Sequence, residues 1–250
     1  PDAIKSVHHL AMLKYALSLF IHNESESFAL ICQQLAGNIQ ADVRLSENDR
    51  NQYLGELEFL ISLAAFNDLE KMAVHHRNAM QLIRQPISVF NKKIHWNFGS
   101  FSILYLYYRK PGALKEHLSV MLENLPVYNR LTSGHGSGGE YLMEAEYFFN
   151  KGDFQNSEIS LQKSVLKARH TEQSALVLCA DFWYARLAIQ RGAADELNEL
   201  LYKMRSDMAC NKGYNYLHTV EICECFINAL LGKREKLSQN LLDTDLRDLR

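Results

Sequence analysis

The segment Ala145-Glu-Tyr-Phe148-Phe-Asn-Lys-Gly152-Asp-Phe154 decides the fold, because it contains the end of one helix, a corner and the start of a second helix. Ala145 and Phe148 are three residues apart and therefore share one helical face. Gly152 follows at the point where a helix ends in the left-handed conformation, which glycine adopts without steric cost. Phe154 opens a new apolar series that continues to Leu161. The segment predicts a helix hairpin that turns at Gly152.

The same corner recurs at a constant spacing along the chain. Four glycines follow one another at intervals of 40 residues, each between two apolar stretches: Gly112, Gly152, Gly192 and Gly232. Asn67 and Asn23 extend the series towards the N-terminus, since asparagine also tolerates the left-handed conformation. A helix–turn–helix unit that repeats with a period of this length is typical of stacked repeat proteins.

The remaining sequence favours helices throughout. No proline follows Pro126, and no alternating apolar run or Asn-Gly turn predicts a β-hairpin. We therefore predict an all-α fold, an α-α superhelix of about six helix hairpins that forms a single domain over residues 1–250. The predicted hairpins cover residues 1–46, 47–92, 93–130, 138–170, 171–210 and 213–250.

The composition excludes several classes of function. Apolar residues make up 47% of the chain and charged residues 22%, as in ordinary globular domains. A formal net charge of −2 provides no basic field for a nucleic-acid backbone, and the apolar stretches are too short to cross a membrane. The five cysteines are an odd number, and no secretory leader follows Pro1. We expect a cytoplasmic chain that is an internal fragment of a longer protein.

The glycine-rich segment Gly134-His-Gly-Ser-Gly-Gly139 matches the dinucleotide fingerprint in spacing only. That motif requires a buried strand before the glycines, whereas the preceding residues contain Pro126 and alternate with polar side chains. Two interpretations remain. The segment is a joint between helical units, or it is a joint that also contacts a small ligand through His135, Ser137 and the amides before a helix that opens near Glu140.

No group of residues predicts catalysis, a metal site or a cofactor. His8-His9 and His75-His76 are adjacent pairs, whose side chains diverge on a helix and cannot share one ion. Cys223 and Cys225 also diverge, and no second cysteine pair provides zinc spacing. Glutamates near the start of a helix, such as Glu140 and Glu144, usually complement the helix dipole. We predict that the chain is not an enzyme.

The register of the glycine corners predicts which side chains line the inner face of the stack. In such hairpins the inner positions of the first helix lie three, six and ten residues before the turn glycine. The predicted ligand-binding lining combines apolar faces with a few hydrogen-bonding groups, and consists of Arg109, Glu146, Phe149, Phe182 and Arg186, with Asn150 and Gln190 beside them. The alternative is that these charged residues only solvate a concave wall.

Two resemblances follow from these motifs. The Ala145–Phe154 segment resembles a tetratricopeptide (TPR) unit, although the standard TPR period is about 34 residues. The stretch Arg130-Leu-Thr-Ser-Gly-His-Gly-Ser-Gly-Gly-Glu-Tyr-Leu-Met-Glu-Ala-Glu146, followed by the Gly152-Asp153 turn, resembles the TPR-like arm of bacterial MalT-like, LuxR-family transcriptional regulators. The resemblance is best from about Tyr105 to Met208.

The resemblance implies a function that spacing alone does not establish. Members of the family carry an N-terminal P-loop ATPase module and a C-terminal helix-turn-helix that binds promoters, and the arm receives an inducer such as a sugar. The chain would then control ATP-dependent self-association and promoter binding through modules outside it, so DNA would be a partner only of that helix-turn-helix. The alternative hypotheses are a TPR-type scaffold that binds a peptide or partner helix in its concave groove, and an α-helical enzyme with convergent carboxylates.

Overall fold

The computed structural model describes residues 2–65, 68–90, 112–210 and 216–238, and within these ranges the chain contains helices and no strand. The all-α prediction is therefore confirmed. The ten α-helices of the described ranges are α1 (Asp2–Ile21), α2 (Ser25–Ala41), α3 (Glu47–Ala64), α4 (Leu69–Leu82), α5 (Leu114–Leu131), α6 (Gly139–Asn150), α7 (Phe154–His170), α8 (Ser174–Arg191), α9 (Ala194–Cys210) and α10 (Leu217–Leu230).

The predicted glycine corners have the left-handed conformation. The φ angles are 85° at Gly112, 78° at Gly152, 69° at Gly192 and 71° at Gly232, and Asn23 has a φ of 60°. At the end of α8, the Ala193 amide donates to Ala188 O at 2.9 Å across Gly192, which caps the last turn. The prediction for Asn67 lies outside the described residues. After Gly232 a short 3-10 helix covers Arg234–Lys236, and Leu237 follows it with an extended backbone, so no α-helix begins directly after this corner.

The described helices belong to two compact units. The N-terminal unit contains α1–α5 and extends through His135, and the C-terminal unit contains α6–α10 and begins its main segment at Gly136. Each unit has its own set of buried apolar residues. The division into six hairpins within a single domain stays a prediction.

In the N-terminal unit, α1 packs on α2 and α3 packs on α4, while α1 also contacts α3. The core is apolar, and its largest fully buried side chains are those of Leu13, Leu35, Ile39, Phe59 and Leu60. Gly55 permits the close approach of α3 to α4, because a Cβ at this position would overlap Ile83 Cγ2. A small residue at a helix crossing lets the two backbones approach closely.

In the C-terminal unit, α6–α7 and α8–α9 form two hairpins, and α8 also contacts α7 and α10. Helix α8 contacts α6 as well, so the first helices of successive hairpins are neighbours. Phe182 and Trp183 of α8 are among the largest fully buried side chains. Ser157 of α7 donates its hydroxyl to Ala145 O of α6 at 2.8 Å, so small residues meet where these helices cross. This arrangement brings the predicted inner positions of α6 and α8 together.

Candidate functional site

Four of the predicted lining residues lie close together in the C-terminal unit. Helix α6 supplies Glu146 and Phe149, and α8 supplies Phe182 and Arg186. Glu146 is 4% exposed, Phe149 8% and Phe182 0%, so these side chains are buried, whereas Arg186 is half-buried. The hairpin register gives the reason: positions three and six before Gly152 face positions six and ten before Gly192 across the α6–α8 contact.

The Arg186 guanidinium lies on aromatic rings that come from three helices. Its Cζ is 4.4 Å from the ring centroid of Phe149, 4.2 Å from that of Trp183 and 5.7 Å from that of Phe226. These distances are typical of cation–π interactions, which strengthen as water is excluded. We call these residues the Arg186 cluster: Glu146, Phe149, Phe182, Trp183, Arg186 and Phe226.

The rings of the Arg186 cluster also pack on one another. The Phe149 and Trp183 centroids are 5.1 Å apart, and those of Phe182 and Phe226 are 5.6 Å apart, both in edge-to-face geometry. Such pairs stabilise an aromatic cluster by about 0.5–1.5 kcal/mol beyond area burial. The cluster is therefore a packed arrangement of α6, α8 and α10.

The charge at the centre of this cluster is partly desolvated. Burial lowers the pKa of Arg186 below its usual value, and the nearby Glu146 carboxylate acts in the opposite direction by raising it. Arginine remains protonated at neutral pH because its ordinary pKa lies far above 7. The Arg186 guanidinium is consequently a permanent positive charge among aromatic rings, and the Glu146 carboxylate of the same cluster is a nearby opposite charge.

Two hydrogen-bond donors of the cluster lack an acceptor among the described residues. The Arg186 guanidinium forms no hydrogen bond or ion pair there, although it offers five N–H donors. The indole Nε1 of Trp183 is buried and has no hydrogen-bond partner in the described part of the chain. Buried donors without acceptors are rare in native proteins, and in this cluster the Trp183 indole nitrogen is such a donor, whereas the half-buried Arg186 is partly accessible to solvent.

The other predicted lining residues lie apart from the cluster or outside the described ranges. Asn150 is exposed, and its Nδ2 donates to Glu146 O at 2.8 Å within α6. Gln190 is also exposed, near the end of α8. Arg109 lies outside the described residues.

Sequence reasoning missed Trp183 and Phe226. Phe226 lies six residues before Gly232, so the register that selected Glu146 and Arg186 also identifies it. Trp183 has no such signal, since it lies nine residues before Gly192. Its place in the cluster follows from the packing of α8 between α6 and α10.

The C-terminal part of the glycine-rich segment uses its amides internally. The Gly136 amide donates to Gln173 Oε1 at 2.8 Å, and the Gly138 amide donates to Glu140 Oε2 at 3.0 Å. Glu140 also pairs with Lys167, and Ser137 is buried. The carboxylate of Glu140 thus occupies the place at the start of α6 that we expected a small anion to take.

The N-terminal part of the same segment is packed as well. The Gly134 amide donates to Asn129 O at 2.7 Å, and His135 is buried. His135 Nδ1 and the Tyr128 hydroxyl form a hydrogen bond of 2.7 Å, and the His135 ring packs edge-on against Phe90 at 4.9 Å between centroids. Helix α5, which contains Pro126, precedes these glycines. The strand that precedes the glycine-rich turn of a dinucleotide-binding motif is therefore replaced here by a helix.

The adjacent histidines His75 and His76 have different partners. His75 Nδ1 lies 2.8 Å from a carboxylate oxygen of Glu58, whereas His76 Nε2 lies 3.0 Å from Ser62 Oγ. The divergence predicted for neighbouring helical positions is confirmed at this pair. No set of three or more His, Cys, Asp and Glu side chains suited to a metal ion occurs among the residues that the structure describes.

The buried thiols of Cys179 and Cys223 belong to the core of the C-terminal unit. Burial raises the pKa of Cys179 well above its usual value and that of Cys223 to about 12. The reactive form of cysteine is the thiolate, which is scarce at neutral pH for such groups. These thiols are therefore apolar core side chains.

Across the described ranges, no helix has the length and apolar character needed to cross a membrane. Comparisons of the chain with protein-family models, characterised proteins and solved structures find no match.

Proposed function

We propose that the chain is a ligand-sensing helical-repeat domain of a MalT-like, LuxR-family transcriptional regulator. In this proposal it is cytoplasmic and receives a small-molecule inducer. Modules outside the chain hydrolyse ATP, self-associate and bind the promoter. The helix hairpins with left-handed corners support the architectural part of the proposal.

The Arg186 cluster is the observation that carries the sensing role. It joins side chains of α6 and α8, which are the first helices of two successive hairpins, and of α10, which contacts α8. A ligand that contacts the cluster in one arrangement of these helices stabilises that arrangement over others. The bias passes between the α6–α7 and α8–α9 hairpins because α7 packs on α8.

A thermal-shift screen of the 250-residue chain tests this proposal. Sugars, amino acids, nucleosides and small organic acids are added singly, and we expect at least one class to raise the melting temperature in a saturable way. The same compounds are applied to Phe149→Ala, which removes one ring from the cluster, and the ligand-induced shift should shrink. A broad library without any saturable shift would count against a ligand-sensing role.

The alternative proposal is a TPR-type scaffold that binds a peptide or a partner helix in its concave groove. It is favoured by large apolar side chains at the surface of the C-terminal unit: Leu166 of α7 is 75% exposed and Tyr202 of α9 is 77% exposed. Purification with one stoichiometric protein partner, whose binding is lost in Leu166→Ser or Tyr202→Ser but retained in Phe149→Ala, would favour the scaffold over the sensor.

A further inference from the structure

Arg186 combines a fixed position with unused hydrogen-bonding capacity. Its guanidinium lies over the rings of Phe149 and Trp183, which restrict the position of the group. Half-burial leaves part of the group accessible, and none of its donors reaches an acceptor among the described residues. A guanidinium that stacks on aromatic faces still presents its N–H groups along its edge.

The chemistry of such a group selects its ligand. The N–H donors form a planar fork that matches the two oxygens of a carboxylate or phosphate, and these charge-assisted bonds are among the strongest that side chains make. The buried indole N–H of Trp183 belongs to a ring that Arg186 covers, so a second unsatisfied donor lies beside the first. Neutral hydroxyl groups would accept hydrogen bonds from Arg186 but would not neutralise its positive charge. An oxyanion does both and is therefore the better match.

We propose that Arg186 is the anion-recognising residue of the C-terminal unit and that the ligand is a small molecule with a carboxylate or phosphate group. The inference rests on the proposed ligand-sensing function and names the chemical class of its inducer. Arg186 is protonated at neutral pH without assistance, because the ordinary pKa of arginine lies far above 7. The apolar rings around the guanidinium exclude water and strengthen its attraction for an oxyanion.

The experiment uses pairs of probes that differ in charge. Succinate, glutarate and benzoate are compared with succinamide, glutaramide and benzamide, and inorganic phosphate is tested separately to distinguish the two kinds of oxyanion. Binding is followed by thermal shift and by the fluorescence of Trp183 at constant ionic strength. The chain contains two tryptophans, so fluorescence is measured in Trp96→Phe protein, in which Trp183 is the remaining tryptophan.

Three variants test whether Arg186 is responsible. Arg186→Gln should weaken binding of the effective oxyanion about ten- to hundredfold, since charge-assisted hydrogen bonds are lost. Arg186→Lys keeps the charge but not the planar fork, so its affinity should lie between those of the wild type and Arg186→Gln. Arg191→Gln is the matched control on the same helix: Arg191 pairs with Glu158 at the surface, so its removal should leave the affinity unchanged.

The outcomes separate this inference from the proposed function. Saturable binding of carboxylates or phosphate, lost in Arg186→Gln and retained in Arg191→Gln, supports the inference. Equal effects of a carboxylate and its amide, or a neutral sugar that binds equally to wild type and Arg186→Gln, overturn it and leave ligand sensing intact. If neither the oxyanions nor the broad library produces a shift, both proposals fail. Should Arg186→Gln not fold, the comparison of each acid with its amide on the wild type decides.

Discussion

His76 illustrates how one residue is controlled by its surroundings in the N-terminal unit. Its ring stacks on Phe59 at 5.8 Å between centroids and packs against Tyr128 at 5.5 Å. The Ser62 hydroxyl donates its proton to Phe59 O at 2.6 Å, so His76 Nε2 is the donor towards Ser62 Oγ. Burial lowers the pKa of His76 to about 4, and the charges of His75 and Arg77 act in the same direction. The ring is therefore neutral in the folded protein at pH 7.

The low pKa of His76 predicts a loss of stability in mild acid. Between pH 6.5 and pH 4 the unfolded chain binds a proton at this ring that the folded chain does not, so stability falls as the pH falls through this range. The full effect is on the order of 3 kcal/mol. Urea unfolding at several pH values, with His76→Gln for comparison, measures it. The variant should lose this part of the pH dependence, and parallel curves for the two proteins would contradict the prediction.

Two glycines with opposite roles give a second prediction at the residue scale. Gly192 has a φ of 69° at a helix corner, and Gly37 lies exposed inside α2 with open space around it. Gly192→Ala should lower the free energy of unfolding by about 1–2 kcal/mol, because a Cβ strains the left-handed conformation. Gly37→Ala should raise it by about 0.5–1 kcal/mol, because alanine restricts the unfolded chain. Denaturant unfolding of both variants should give opposite signs; two changes of the same sign would refute the corner assignment.

At the scale of elements, the start of α6 is fixed by its contact with α7. Gly138 has a φ of 102°, and a Cβ there would lie 2.8 Å from Ser164 O and 3.1 Å from the Ala168 amide nitrogen. Ser164 also donates its hydroxyl to Gly138 O at 2.9 Å. The two helices therefore meet through backbone atoms, which cannot move aside as a flexible side chain can.

Gly138→Ala should consequently destabilise the C-terminal unit more than an ordinary corner variant. We expect a loss of about 2–4 kcal/mol, from left-handed strain together with overpacking. Gly152→Ala is the control, since Gly152 has a φ of 78° but open space, and should lose only about 1–2 kcal/mol. Denaturant unfolding compares the two, and equal losses would mean that the α6–α7 contact relaxes easily.

A second element-scale prediction concerns the segment that follows α4. Glu56 of α3 is buried, and its Oε2 accepts hydrogen bonds from the Ser88 hydroxyl at 2.8 Å and from the Val89 amide at 3.3 Å. Glu56→Ala leaves both donors without this acceptor and should cost about 1–3 kcal/mol. Hydrogen exchange should show faster exchange of the Val89 amide in Glu56→Ala and a smaller change in Glu56→Gln. Unchanged exchange in both variants would show that Glu56 does not hold the segment after α4 in place.

For the molecule as a whole, local rules predicted the helices and the corners but not the partners that complete the site. Apolar spacing and glycine chemistry act within a few residues, so Gly152 and Gly192 were predictable. Glu172 has a φ of 61° at the α7–α8 corner, and no residue-type signal marks such a position for glutamate. The acceptor of the Gly136 amide, Gln173, lies 37 residues away, and the unpaired indole of Trp183 depends on how α8 packs.

The three rings beneath Arg186 belong to three different helices, of which α6 and α8 lie in separate hairpins. A chimera that transfers a single helix hairpin of this chain to another repeat protein would carry at most one of these rings, so the guanidinium would lack the other aromatic contacts. Grafting the feature into a new scaffold therefore requires transferring α6, α8 and α10 as one block. The smallest exchangeable module of this region is larger than the repeat that the glycine spacing defines.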